Sequence, residues 1–150
     1  MHRRHALVIA AAIALLLMAF APQGLAGGGK RLSTTLSGAE EEPVDGDPDA
    51  TGFARLRLNS GKRTVCFNVS WADVDGTVTA SHIHETPAGE AGPVAVLLFQ
   101  GEYAGTDSES ACVSSTRAQI KEIRENPTDY YVNVHSTSFP SGAIRGQLGD

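Results

Sequence analysis

The chain has 150 residues, of which 41% are hydrophobic and 19% charged, values typical of one globular domain. Its formal net charge is −5 at pH 7, and it has no basic stripe interleaved with aromatic residues, so we expect no nucleic-acid partner. Enzymes built on a phosphate-binding loop, a dinucleotide glycine motif or a GxSxG elbow find no support, and no organic cofactor is expected.

Residues 1–26 have the pattern of a signal peptide. A basic start at residues 2–5 precedes an apolar run over residues 6–20, and small residues at Gly24 and Ala26 suit a signal peptidase. The alternative is a membrane anchor, but a span needs about 20 apolar residues and this run is shorter. Cleavage after Ala26 leaves 10 basic and 17 acidic residues, a net charge of −7. We therefore expect a secreted or periplasmic protein without a stable membrane span.

The part of the chain after the predicted cleavage site consists of a short N-terminal segment and one domain. Residues 27–31 are glycine-rich and predict a flexible segment, and residues 32–150 form the domain. Residues 40–49 carry six carboxylates among prolines and a glycine, which predicts a loop. Their spacing does not match an EF-hand, so a solvated acidic loop is favoured over a calcium site.

Alternating apolar residues predict most of the strands. Residues 51–58 and 65–71 each have one apolar face, and Asp75-Gly76 predicts a hairpin that leads into a strand at residues 78–85. The apolar run at residues 93–99 is typical of a strand buried on both faces.

The second half of the domain adds one helix and the remaining strands. Thr116 and Gln119 form a capping-box pair at the start of a short helix over about residues 116–126. Further strands are expected near residue 112, at 130–135 and at 143–148. About eight strands and one helix predict an all-β fold, an antiparallel Greek-key β-sandwich or barrel.

Cys66 and Cys112 are the only cysteines. An even pair in an exported chain predicts a disulfide, with free thiols or a metal-binding pair as the alternatives. No CxxC motif is present, which argues against redox catalysis through these cysteines.

Three histidines suggest a metal site. His82 and His84 are two residues apart on a predicted strand, so both side chains point to the same face and Ile83 points to the other. His135, on a later strand, is the obvious third ligand. Val78 and Ala80 share the parity of the histidines, so either the strand bulges or the histidine face meets a partly apolar layer.

Several segments together resemble the CHRD domain, a family widespread in secreted proteins. The resemblance covers roughly residues 32–148 and implies an immunoglobulin-like β-sandwich, whereas the activity of the family is largely undefined. The matching segments are Leu36-Ser37-Gly38-Ala39-Glu40-Glu41, Ala80-Ser81-His82-Ile83-His84-Glu85, Gly92-Pro93-Val94, Tyr130-Tyr131-Val132-Asn133-Val134-His135 and Gly142-Ala143-Ile144-Arg145-Gly146-Gln147-Leu148.

A weaker resemblance connects the chain to Cu/Zn superoxide dismutase. That family also holds copper with an HxH pair, which His82 and His84 match, and the resemblance implies His135 as a later copper ligand and Arg145 as the arginine that attracts superoxide. Outside residues 1–26 the chain has no further histidine for the bridging and zinc positions of that family.

Two functional hypotheses follow. The first is a mononuclear site of His82, His84 and His135 that holds copper or, as second choice, zinc. Glu85, Tyr131, Asn133 and Arg145 are expected to orient or surround these ligands. The second is an extracellular interaction module for a protein, glycan or envelope partner, in which the histidines only hydrogen-bond across strands. No catalytic residue is assigned, and catalysis is left open.

Overall fold

The computed structural model describes residues 29–149, and the predicted signal peptide lies outside these residues. Within this range there are eight strands and one α-helix. No helix among these residues combines the length and apolarity that a membrane crossing requires. The strands are β1 Lys30–Ser37, β2 Thr51–Asn59, β3 Thr64–Ala72, β4 Val78–Glu85, β5 Val94–Gln100, β6 Ser108–Ser114, β7 Tyr130–Ser136 and β8 Ile144–Gln147, and the helix is α1 Arg117–Glu125; single 3₁₀ turns cover Gly38–Glu40 and Pro127–Asp129.

All neighbouring strands pair antiparallel in one sheet of order β5-β4-β7-β8-β1-β2-β3-β6. The sheet folds into two four-stranded halves, and among the described residues the strand pairing between them is that of Ser37 with Arg145. Across the core between the halves, the Phe99 ring lies 6.0 Å from Phe67 and 5.7 Å from Trp71. This nearly closed, sandwich-like arrangement confirms the predicted all-β fold.

The alternating patterns of β2 and β3 are confirmed. Alternate residues from Ala54 to Leu58 on β2 and from Val65 to Trp71 on β3 are buried in the core, and the residues between them are exposed or half-buried. Strand β1 begins at Lys30, inside the segment 27–31 that was expected to precede the domain, and Lys30 and Arg31 pair with Leu58 and Arg57.

The predicted hairpin between β3 and β4 is wrong. Strand β3 pairs with β2 and β6, so its backbone groups are already satisfied, and the chain crosses to the other half. Asp75-Gly76 still turns, with Gly76 at φ 81°. The turn is held by side chains of other segments: the Asp75 amide donates to Asp47 Oδ2 over 2.7 Å, and the Ser136 hydroxyl donates to the Asp75 carbonyl over 2.7 Å.

Strand β5 also differs from expectation. It ends the sheet and bulges twice against β4, so Val94 and Leu97 are 53% and 46% exposed and the strand is not buried on both faces. An apolar run alone does not distinguish a central strand from an edge strand.

The disulfide and the helix are confirmed. Cys66 and Cys112 face each other on β3 and β6 and are bonded. The Thr116 hydroxyl caps α1 by accepting from the Gln119 amide over 3.0 Å. The Gln119 side chain donates to Tyr130 over 3.4 Å and does not complete the capping box.

Candidate metal centre

A bulge in β4 places the histidines on the solvent side of their half. Val78 pairs with Ser136 and Ala80 with His135, so Thr79 is an extra residue that shifts the register. Before the bulge Val78 is buried in the core, and after it Ile83 is. The bulge therefore resolves the conflict in the sequence pattern: the two histidines occupy the face opposite the core.

Residues opposite each other on antiparallel strands share a face, which brings the predicted site residues together. His82 lies opposite Asn133, and His84 lies opposite Tyr131. On the next strand, β8, Arg145 lies opposite Asn133, so Arg145 is on the same face of the sheet as the histidines. His135 lies two residues after Asn133 on β7 and pairs with Ala80, so it is diagonal to His82.

The three imidazoles form one cluster whose ligating nitrogens all lie within 4.8 Å of one another. His82 Nδ1 and His135 Nε2 are 3.0 Å apart. In a tetrahedral site with metal–nitrogen bonds of about 2.0 to 2.1 Å, ligand nitrogens are about 3.3 Å apart. The His82–His135 pair is close to this spacing, and the ligand nitrogens of all three histidines lie within 4.8 Å of one another.

Backbone carbonyls orient two of the rings. His84 Nδ1 lies 2.8 Å from the Gly92 carbonyl, and His135 Nδ1 lies 3.1 Å from the Pro140 carbonyl. A carbonyl only accepts, so each Nδ1 carries the proton and donates it. Both Nε2 atoms are therefore unprotonated, which is the form that binds a metal. His135 Nε2 is in hydrogen-bond contact with His82 Nδ1, whereas His84 Nε2 is not paired with another ring.

His84 Nε2 is buried and makes no well-formed hydrogen bond among the described residues, although the Asn133 side chain lies near enough to oppose the lowering of the His84 pKa. A buried polar atom without a partner carries a desolvation cost of about 1 to 3 kcal/mol. In a purely structural histidine this nitrogen would be expected to accept a hydrogen bond. His84 belongs to the group of three histidines whose nitrogens could hold a metal ion.

Burial keeps the cluster neutral. Burial, reinforced by the neighbouring His135 and His84, lowers the pKa of His82 to about 4. Burial likewise lowers the pKa of His84 and of His135. Neutral imidazoles at physiological pH are ready to bind a metal without first losing a proton.

A stack of three planar groups supports His84. Its ring lies parallel to the Tyr131 ring, 4.7 Å between centroids and 7° between planes, and the Arg145 guanidinium covers the other side of Tyr131 at 3.5 Å. Arg145 is 1% exposed, so it is not open to solvent as an arginine that attracts superoxide would be. It donates instead to the carbonyls of Glu90 and Pro87, which fixes the loop of residues 86–92 whose last residue contacts His84.

The remaining predicted site residues lie in different places. Asn133 is 2% exposed, lies beside His82 and His84, and has a buried Oδ1 without a hydrogen-bond partner in the described chain. Glu85 is exposed and makes no hydrogen bond to the imidazoles within residues 29–149. The sequence analysis missed Gln147, which donates to the carbonyls of Thr86 and Thr128; its parity with Arg145 on β8 was an available signal.

A buried carboxyl group lies next to Arg145. Glu41 is 4% exposed, its Oε1 has no hydrogen-bond partner among the described residues, and it packs against Gly142. Burial raises the pKa of Glu41 to about 7, although Arg145 acts in the opposite direction. Glu41 and Asp47, which is 0% exposed, correct the expectation that the acidic segment is fully solvated.

The fold and the histidine cluster together define a β-sandwich domain with a candidate metal site on the outer face of one half. A model of the CHRD domain family matches residues 32–148. The chain therefore belongs to the CHRD domain family, as the resemblance in its sequence implied. No curated protein and no solved structure shows significant similarity to it.

Proposed function

We propose that this protein is an exported metal-binding protein whose single site is formed by His82, His84 and His135. The Nε2 atom of His84 carries the proposal, because it is buried, unprotonated and part of a cluster with two further imidazoles. A site built for hydrogen bonds alone would not leave this atom without a partner.

Copper is the first choice of metal and zinc the second. Three neutral imidazoles suit both ions, and copper heads the affinity order of the divalent first-row metals. Bound copper would supply one-electron redox chemistry, whereas zinc would supply Lewis acidity. His82 and His135 are only half-buried, so a fourth ligand can come from solvent.

The surrounding residues have supporting roles in this proposal. Gly92 and Pro140 fix the tautomers of His84 and His135 through their carbonyls. Tyr131 holds the His84 ring by stacking, and Asn133 provides a buried oxygen beside the ligands. Arg145 holds the loop of residues 86–92 and packs against the Tyr131 ring.

The second candidate is an exported interaction module in which the histidines are structural. One observation favours it, since the 3.0 Å contact between His82 and His135 is a sound hydrogen bond without any metal. Export itself is supported by the disulfide, by the predicted signal peptide and by membership of a family widespread in secreted proteins.

Titration of the metal-free protein with Cu²⁺ and Zn²⁺ separates the two candidates. We expect one ion per chain, three nitrogen ligands at about 2.0 Å by X-ray absorption, and a higher melting temperature. Alanine at any one of the three histidines should weaken binding strongly, whereas Glu85→Gln, a change beside the site, should not. Unchanged binding in the histidine variants, or no binding by the wild type, would support the structural candidate.

A further inference from the structure

The outer face of the half-sheet β1-β2-β3-β6 is positively charged, although the protein is acidic. Arg31, Arg55 and Arg57 are exposed on this face. The only carboxylate in the four strands, Glu109, lies opposite Val69 on the core side. None of the three arginines forms an ion pair among residues 29–149. We call Arg31, Arg55 and Arg57 the arginine face.

The register concentrates these charges. Arg31 lies directly opposite Arg57 on the neighbouring strand. Arg55 precedes Arg57 by two residues on β2 and is therefore on the same face. Like charges placed opposite each other destabilise a sheet. Arg55 packs on the Phe53 ring and Arg57 donates to Cys66 Sγ over 3.6 Å, but neither contact supplies a negative charge. No ion pair among residues 29–149 offsets the repulsion, so a bound anion is the natural complement of the arrangement.

The spacing favours an extended ligand over a single small anion. Neighbouring strands are about 4.8 Å apart, and residues two apart on a strand are about 6.6 Å apart. The arginines line an open groove of about 550 Å³ that also includes Ser33 and Asn68. Guanidinium groups distributed in this way meet successive anionic groups along a chain, and each can bind a carboxylate through two hydrogen bonds.

The other side chains of the face suit a sugar better than a peptide. Most of them are hydroxyls or amides, which can bond to sugar hydroxyls, whereas protein interfaces rely on apolar and aromatic anchors. Among the described residues, Phe53 is the one aromatic side chain on this face, and the Arg55 guanidinium covers its ring at 4.6 Å. The polar side chains are Ser33, Thr35, Ser37, Thr51, Asn59, Thr64, Asn68, Ser70, Ser108, Ser110 and Ser114.

We propose that the arginine face binds an extended acidic polysaccharide of the polyuronate class. The carboxylates of the polymer pair with Arg31, Arg55 and Arg57, and its hydroxyls bond to the surrounding polar side chains. This surface lies on the opposite half of the sheet from the three histidines, so the proposal does not depend on metal binding.

Binding of the purified protein to polygalacturonate tests the proposal, with uncharged dextran and poly-glutamate as comparison polymers. We expect binding to polygalacturonate that weakens as salt rises from about 0.05 M to about 0.5 M, and weaker or no binding to the other two. The Arg31→Gln, Arg55→Gln, Arg57→Gln triple variant should bind at least about tenfold more weakly.

A matched variant removes the same charge elsewhere. Lys62→Gln, Arg117→Gln, Lys121→Gln changes three exposed cations outside this face and should bind like the wild type. Equal losses in both triple variants, or equal binding by all three proteins, would overturn the proposal. Tighter binding to poly-glutamate would assign the face to an acidic protein, and self-association lost only in the arginine variant would assign it to a second copy; either result overturns the polysaccharide.

Discussion

Replacing Glu41 by glutamine should stabilise the protein at neutral pH and change the way its stability depends on pH. The pKa of Glu41 is raised to about 7 in the fold from an ordinary value of 4.5, because burial disfavours the charged carboxylate. In the unfolded chain the group loses its proton near its ordinary pKa. Ionisation therefore favours the unfolded state, and Glu41 lowers stability progressively as pH rises from about 4.5 to about 7.

The magnitude follows from the pKa difference. At 1.36 kcal/mol per pKa unit, the shift corresponds to a stability loss of about 3 kcal/mol that is complete above about pH 7. Glutamine has nearly the same shape and stays neutral. Glu41→Gln should match the wild type near pH 4 and exceed its unfolding free energy by up to about 3 kcal/mol near pH 8.

Urea denaturation at intervals from about pH 4 to about pH 8 measures this difference. Comparing the two proteins at each pH cancels the contributions of the other titrating groups. Glu40→Gln, at an exposed neighbouring position, is the control and should show no such trend. A Glu41→Gln effect that is the same at every pH, or a destabilisation that is largest at high pH, would refute the reasoning.

Three further predictions concern the fold. Replacing Cys66 and Cys112 by serine should lower the unfolding free energy by about 4 kcal/mol, because the bond closes a loop across 46 residues; urea denaturation measures this. Ile123→Ala should cost about 2 to 5 kcal/mol in the same assay, since the side chain is 0% exposed. Arg145→Gln removes guanidinium bonds to the loop carbonyls and should accelerate proteolysis within residues 86–92 by about tenfold, followed by mass spectrometry.

Each of these predictions has its own comparison. Wild-type protein under reducing conditions should match the serine variant in stability. Leu97→Ala, at a half-exposed site on β5, should change stability far less than the core substitution. Arg117→Gln, at an exposed site on α1, should leave the loop as protected as in the wild type; equal cleavage in Arg145→Gln and wild type would contradict the role given to Arg145.

The strands were predictable where one face is buried and the other is wet. On β2, Leu56 and Leu58 alternate with Arg55 and Arg57. A strand with one buried face needs an apolar residue at every second position, so this alternation can be read from the sequence. The pairing partners were less predictable. Asp75-Gly76 has the composition of a hairpin turn, but which strands bond to β3 depends on long-range pairing that a local pattern does not encode.

The same distinction holds for the site. His82, His84 and His135 were identified from residue type and strand parity, and the structure brings them together. The carbonyls of Gly92 and Pro140 that orient them were not predictable, because every residue has a carbonyl and only the path of the loops selects these two. The burial of Glu41 was hidden for a related reason, since an acidic run gives no sign of which carboxylate the fold encloses.

The metal content of the protein purified from its native compartment tests the central claim most directly. The measurement compares the wild type with a His82→Ala, His84→Ala double variant by elemental analysis, with copper and zinc both quantified. The account predicts about one metal ion per wild-type chain and none in the variant, because two of three ligands are lost. Equal metal content in the two proteins would contradict the assignment of the site.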